Sequence, residues 1–108
     1  MFLPIHSRVT VGDLLKGAII VSGNDACIVL AEGLFGSEEA YARQATARAR
    51  ELGLTHSTFA NATGLDAPTH RMSAHDTALI AYRIIHDFPE FYPMFSEPEF
   101  TFNKTRQY

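Results

Sequence analysis

Ser22-Gly23-Asn24 is the segment of this chain whose residue types and spacing best suit chemistry. A serine hydroxyl can relay a proton, and an asparagine amide can both donate and accept a hydrogen bond. Residues two apart point about 200° apart on a helix but the same way on an extended segment. Ser22 and Asn24 can therefore address one site only if Gly23 is extended or in a turn. Glycine permits that, together with close backbone approach by a ligand. The same tripeptide also fits an ordinary helix–turn–helix connection, with Ser22 or Asn24 capping the second helix.

The elements on either side must hold that connection. Thr10-Val11-Gly12-Asp13 reads as a capping box, with Thr10 capping and Asp13 reaching back. Behind it Val11, Leu14, Leu15, Ala18 and Ile19 form one apolar stripe at helical spacing. The pattern breaks at Ser22-Gly23-Asn24, resumes with Cys27, Leu30, Ala31 and Leu34, and stops at Gly36, a suitable left-handed cap. Ser37-Glu38-Glu39 opens a third helix, acids first, which ends near Gly53. Residues 54–72 show no period and carry the turn formers Asn61, Gly64, Asp66 and Pro68. Ser73-Ala74-His75-Asp76 is a second capping box, and Thr77, Ala81, Ile84 and Ile85 follow it as a stripe up to Phe88-Pro89. Pro89 to Phe95 suits a single helical turn. Phe100 and Phe102 alternate with Thr101 and Asn103, as in a single orphan strand, which must satisfy its backbone by pairing with sheet expected to lie outside this chain.

The 108 residues carry a net charge of −3 and are 46% hydrophobic and 19% charged, the composition of a globular chain. At that size roughly 65% of the unfolded surface can be buried. Mild acidity argues against a nucleic-acid or membrane-surface partner, since both require a basic face. No apolar run approaches the ~18 residues of a membrane span. Met1-Phe2-Leu3-Pro4 has no basic n-region and no long apolar stretch, so no signal peptide is read there. Cys27, as the one cysteine, can close no bridge within the chain and is expected in the core.

The stretch from Asp13 to Ala26, which contains Ser22-Gly23-Asn24, resembles the second active-site motif of the D-alanyl-D-alanine carboxypeptidases. These are low-molecular-mass penicillin-binding proteins of the serine transpeptidase and β-lactamase superfamily. Further pieces are similar to the family in the same order: Met1-Phe2, Asn61-Ala62-Thr63-Gly64-Leu65, Ser73-Ala74-His75-Asp76, Phe88-Pro89-Glu90-Phe91-Tyr92 and Glu99-Phe100-Thr101-Phe102-Asn103. The resemblance extends over essentially the whole chain.

It implies a mechanism built on three motifs, Ser-x-x-Lys, Ser-x-Asn and Lys-Thr-Gly. The nucleophilic serine attacks the penultimate D-alanine carbonyl and water releases the acyl-enzyme. By that resemblance Ser22 shuttles a proton between the motif lysine and the leaving amine. Asn24 holds the substrate amide, and Gly23 completes the binding segment. No serine here is followed three residues on by lysine. Lys104-Thr105 opens like the third motif, but Arg106 stands where glycine is needed. The isolated chain is accordingly expected to be inactive, as the helical part of a larger catalytic domain over residues 1–108.

Other polar groups are weaker candidates. His70, His75 and Asp76 are poorly spaced for a metal, so solvent-exposed histidines are expected and no metal or cofactor is implied. Arg43, Arg48 and Arg50 read as a solvated helix face. The expected fold is mainly α, the helical lobe of the β-lactamase/transpeptidase-like α/β fold, with a short terminal strand and most of the sheet missing. The implied partners are peptidoglycan stem peptides ending in D-Ala-D-Ala, and β-lactams in the full enzyme, at an extracytoplasmic location. A stand-alone helical interaction module derived from that fold, self-associating through exposed apolar surface, is the alternative of a different class. A β-lactamase fragment ranks lower, because no acidic deacylation motif is evident.

Overall fold

Four helices, one turn of 3₁₀ helix and a terminal hairpin make up residues 1–108 of the computed structural model. The first helix, α1 (Val11–Val21), starts at Thr10, whose hydroxyl accepts the Asp13 N–H at 3.1 Å. Helix α2 (Asn24–Phe35) ends at Gly36, where φ is 89°. Helix α3 (Glu38–Glu51) is capped by Ser37, which accepts the Ala40 N–H at 3.0 Å. Helix α4 (Ala74–Asp87) is capped by Ser73, which accepts the Asp76 N–H at 3.0 Å. In neither proposed capping box does the aspartate reach back to the cap. Its side chain is one methylene shorter than the glutamate that closes the reciprocal bond.

The strand expected at Phe100 is present as β1 (Phe100–Phe102), but it is not left without a partner. It pairs antiparallel with β2 (Thr105–Gln107), with Phe102 opposite Thr105. Asn103 and Lys104 both lie at positive φ, 50° and 64°, which closes a two-residue turn of the type that matches strand twist. The expectation of an orphan strand looked only for a run of alternating apolar residues. The second strand, Thr-Arg-Gln, has none. The 3₁₀ turn η1 (Tyr92–Ser96) overlaps the stretch Pro89 to Phe95 expected to hold one and runs one residue past it.

Helix α1 is the centre of the packing. It contacts α2, η1 and β1, and α2 in turn contacts α3. Met1, Leu14, Ala26 and Phe100 form the buried cluster, with Leu3, Val9, Ile20 and Leu30 against it. Helix α4 has no comparable helix partner. Its apolar stripe is only partly covered, with Ile84 half-buried and Ile85 exposed, and Tyr82 on the helix and Phe88 just past it are open to solvent beside Phe91, Tyr92 and Phe95. The accessible surface is 7352 Å². A compact monomer of this mass exposes about 6,000 Å², so burial reaches about 58% rather than the expected 65%. No helix is long and apolar enough to cross a membrane.

The long segment between α3 and α4 is ordered by specific bonds rather than by a period. Thr58 and Arg71 exchange two backbone bonds of 2.8 Å each. Thr46 of α3 accepts the Phe59 N–H at 3.0 Å. The Asn61 side chain accepts from the Thr63 and Gly64 amides and donates to the Leu65 carbonyl, fixing a turn around two of the expected turn formers, Asn61 and Gly64.

Candidate functional site

The link between α1 and α2 has the conformation that a shared Ser22–Asn24 site requires. Ser22 lies in the left-handed region (φ 52°, ψ 41°) and Gly23 is extended (φ −69°, ψ 102°). Helical register is therefore broken at both residues, and the 200° divergence of a continuous helix does not apply. Neither Ser22 nor Asn24 caps α2. The cap position is Gly23, which has no side chain to offer, and Asn24 is the first helical residue. The Ser22 hydroxyl and the Asn24 amide take part in no hydrogen bond within the chain, and both residues are exposed. The ordinary-connection reading assigns them a capping task that they do not perform.

The backbone of the link is tightly held. The Gly17 carbonyl accepts the Ser22 N–H and also the Gly23 N–H, the latter at 2.9 Å. Gly23 is buried, and a Cβ built on it would lie 3.0 Å from that carbonyl and 3.2 Å from Oδ1 of Asp25. Its requirement is thus space, not φ. Gly17 is a second position with no room, since a Cβ there would meet the Met1 sulfur at 2.3 Å.

Asp25 was not singled out by its sequence position. Its carboxylate accepts the Leu3 N–H at 3.1 Å and the Ala26 N–H at 2.9 Å, and lies 3.3 Å from the Met1 ammonium. Burial works to raise its pKa. The Leu3 and Ala26 amides and the ammonium outweigh that, and the carboxyl ionises below its ordinary value. Burial, with the charge of Asp25 adding to it, pushes the Cys27 thiol up. Cys27 is not in the core as expected: it is half-buried and lines an apolar groove between α1 and α2, because the α2 stripe is only partly covered there.

The other candidates have structural tasks. Asp76, read as a cap, is fully buried, and its Oδ2 accepts the Ser57 hydroxyl at 2.7 Å and the His56 N–H at 2.8 Å. Burial opposes its ionisation, yet the Ser57 hydroxyl, the His56 amide and the His75 imidazole together hold its pKa below the ordinary value. Arg50 is not simply a solvated side chain. Its guanidinium donates to the Leu54 carbonyl at 2.7 Å and to the Ser57 carbonyl. His75 is exposed as expected. His70 is half-buried, and its Nδ1 accepts the Ala60 N–H at 3.0 Å. Lys16 pairs with Glu97 at 3.8 Å, and Lys104 sits in the hairpin turn. No cluster of three metal-ligating side chains occurs.

The family model described as D-alanyl-D-alanine carboxypeptidase matches residues 1–108. The chain is 50% identical over 107 residues to D-alanyl-D-alanine carboxypeptidase DacC of Escherichia coli K12, covering 99% of this chain and 27% of that protein. Its fold is similar to penicillin-binding protein 5 of Haemophilus influenzae, with a TM-score of 0.94, 42% identity, and 99% of this chain against 31% of that one. It also resembles penicillin-binding protein D2 of Listeria monocytogenes in its ampicillin-bound form. There the TM-score is 0.80 and the identity 27%, over 94% of this chain and 43% of that one. The chain thus spans about a quarter of the length of the curated relatives it matches.

Proposed function

Because the chain belongs to the D-alanyl-D-alanine carboxypeptidase family, we propose that it is the helical part of a catalytic domain that removes the terminal D-alanine from peptidoglycan stem peptides, with Ser22-Gly23-Asn24 forming one wall of the cleft. The observation that carries this reading is the broken register at Ser22 and Gly23. It leaves an exposed hydroxyl and an exposed amide on one rigid link, neither of them engaged within the chain.

In this reading the Ser22 hydroxyl passes a proton to the leaving amine when a serine outside this chain attacks the carbonyl. The Asn24 side chain holds the substrate amide by donating and accepting at once. β-Lactams acylate the same serine as substrate mimics. A relative crystallised with ampicillin supports that choice of ligand. The chemistry takes place outside the cytoplasmic membrane, where the polymer is.

Since this chain holds neither Ser-x-x-Lys nor Lys-Thr-Gly, it is inactive by itself. Fluorescent penicillin tests that directly. The purified 108-residue chain stays unlabelled, and covalent labelling of it overturns the assignment of the nucleophile. In a polypeptide that carries all three motifs, Ser22→Ala lowers the acylation rate by about 10²–10⁴-fold. An unchanged rate removes Ser22 from the mechanism.

The exposed apolar face of α4 and η1 favours a second reading of the isolated chain, as an interaction module that associates with itself. Light scattering distinguishes them, because a monodisperse monomer excludes the module.

A further inference from the structure

The segment Met1–Leu3 is fastened on both sides of the Ser22-Gly23-Asn24 link. On one side the Met1 thioether occupies the space that a side chain on Gly17 would fill, and Gly17 is the residue whose carbonyl accepts from Ser22 and Gly23. On the other side the Leu3 N–H donates to Asp25, whose Oδ1 occupies the space beside Gly23. Between these anchors Phe2 sits at φ 60° with an exposed side chain. A bulky residue in the left-handed region is strained, and such strain persists only where the surroundings over-determine it. Ser22, across the link, is left-handed as well. Two strained residues are thus held by one pair of anchors, the Met1 thioether and the Asp25 carboxylate.

We propose that Asp25 is a positioning residue for the Ser22-Gly23-Asn24 site: its carboxylate clamps the Met1–Leu3 segment across the link and thereby fixes the left-handed backbone from which Ser22 projects. The proposal rests on the functional reading of Ser22 and Asn24, but it concerns backbone conformation, not their chemistry. Gly23 supplies the room, since any side chain there displaces either the Gly17 carbonyl or the Asp25 carboxylate. Asp25 supplies the tension, through a charge-assisted bond stronger than a neutral one. The titratable groups around it are the Met1 ammonium, His6 across the same cleft, and Cys27 two residues on in α2.

The test is a nuclear magnetic resonance experiment on the 108-residue chain, with Asp25→Asn beside the parent sequence. The readouts are the scalar coupling that reports the left-handed φ of Ser22 and the hydrogen-exchange rate of the Gly23 amide. Asp25→Asn is expected to lose the left-handed signature at Ser22 and to speed Gly23 exchange about tenfold, the scale of one charged hydrogen bond. Helices α3 and α4 keep their shifts. The parent chain is expected to make the same change reversibly on acidification below the ordinary carboxylate value of 3.8, so a variant that fails to fold leaves the titration to decide. If Leu3 exchange quickens while Ser22 and Gly23 are unmoved, Asp25 merely anchors a segment and the proposal is wrong. Failure of the functional reading shows elsewhere, in an unchanged acylation rate for Ser22→Ala.

Discussion

The Ser57 hydroxyl donates to the Asp76 carboxylate at 2.7 Å, and both side chains are buried. Asp76 lies in the first turn of α4, so its charge also faces the positive end of the helix dipole. Because α4 has no extensive helix partner, this carboxylate is its main polar tie to the body of the fold. The tie continues through Arg50, which holds the Leu54 and Ser57 carbonyls from α3.

Removing either end of that bond should destabilise the chain, but unequally. Ser57→Ala deletes one donor to a charged acceptor and is expected to cost about 1.5–3 kcal/mol. Asp76→Ala leaves the buried Ser57 hydroxyl and also the His56 N–H without their partner, so its loss should be the larger. Urea unfolding of the two variants and the parent ranks them. A Ser57→Ala midpoint equal to the parent's would show that the bond adds nothing net.

Acid should weaken the fold in a defined window. Asp25 and Asp76 both ionise below their ordinary value of 3.8 in the folded chain. The folded state therefore binds fewer protons than the unfolded state as pH falls past that value. Stability contributed by the two carboxylates is complete well above pH 3.8, and declines as pH drops from there through their folded values. Unfolding free energies measured down this range should fall, and Asp76→Asn should flatten the decline. A parent curve with no slope below that pH would contradict the assigned shifts.

The apolar face of α4 and η1 gives a third expectation. Phe95 is 53% exposed beside Ile84, Ile85 and Tyr92. Phe95→Glu should change folding stability by no more than about 1 kcal/mol, because a half-exposed side chain has little burial to lose. Any self-association of the isolated chain should drop, read as the concentration dependence of sedimentation. Association that is indifferent to this charge would place the contact on another face.

Much of this architecture was legible in the sequence, for local reasons. Thr10, Ser37 and Ser73 are caps because a short hydroxyl before an apolar stripe has one obvious use, and each accepts the expected amide. Gly36 ends its helix by the left-handed geometry that only glycine adopts freely. What stayed hidden was non-local. Nothing in the one-dimensional pattern says that Asp76 reaches back to Ser57, or that Asp25 reaches Leu3, since both bonds join segments about twenty residues apart. The β2 strand escaped because Thr105-Arg106-Gln107 has no apolar alternation, although Asn103 at a left-handed turn position was a usable signal. At Ser22-Gly23-Asn24 spacing alone left two readings open, and sequence could not tell that Gly23, not Ser22 or Asn24, takes the cap position of α2.

Those angles make opposite demands on adjacent residues, which yields the sharpest expectation. Ser22 holds φ 52°, a conformation that costs an L-residue roughly 1–2 kcal/mol. Ser22→Gly removes that cost and loses part of the gain to the greater freedom of unfolded glycine, roughly 0.5–1 kcal/mol, so the variant should be slightly more stable. Gly23 at φ −69° could accept alanine by angle alone, but its Cβ would lie 3.0 Å from the Gly17 carbonyl, a backbone atom that cannot swing aside. Gly23→Ala should therefore lose about 1–3 kcal/mol. Paired urea titrations of the two variants decide the sign of each. In a polypeptide carrying all three motifs, the more stable Ser22→Gly should be the catalytically crippled one. That outcome would place Ser22 among residues whose strain is offset by function, the usual trade-off between stability and activity. If Ser22→Gly instead destabilises the chain, or gains stability with undiminished acylation, the strain at Ser22 belongs to packing and not to catalysis.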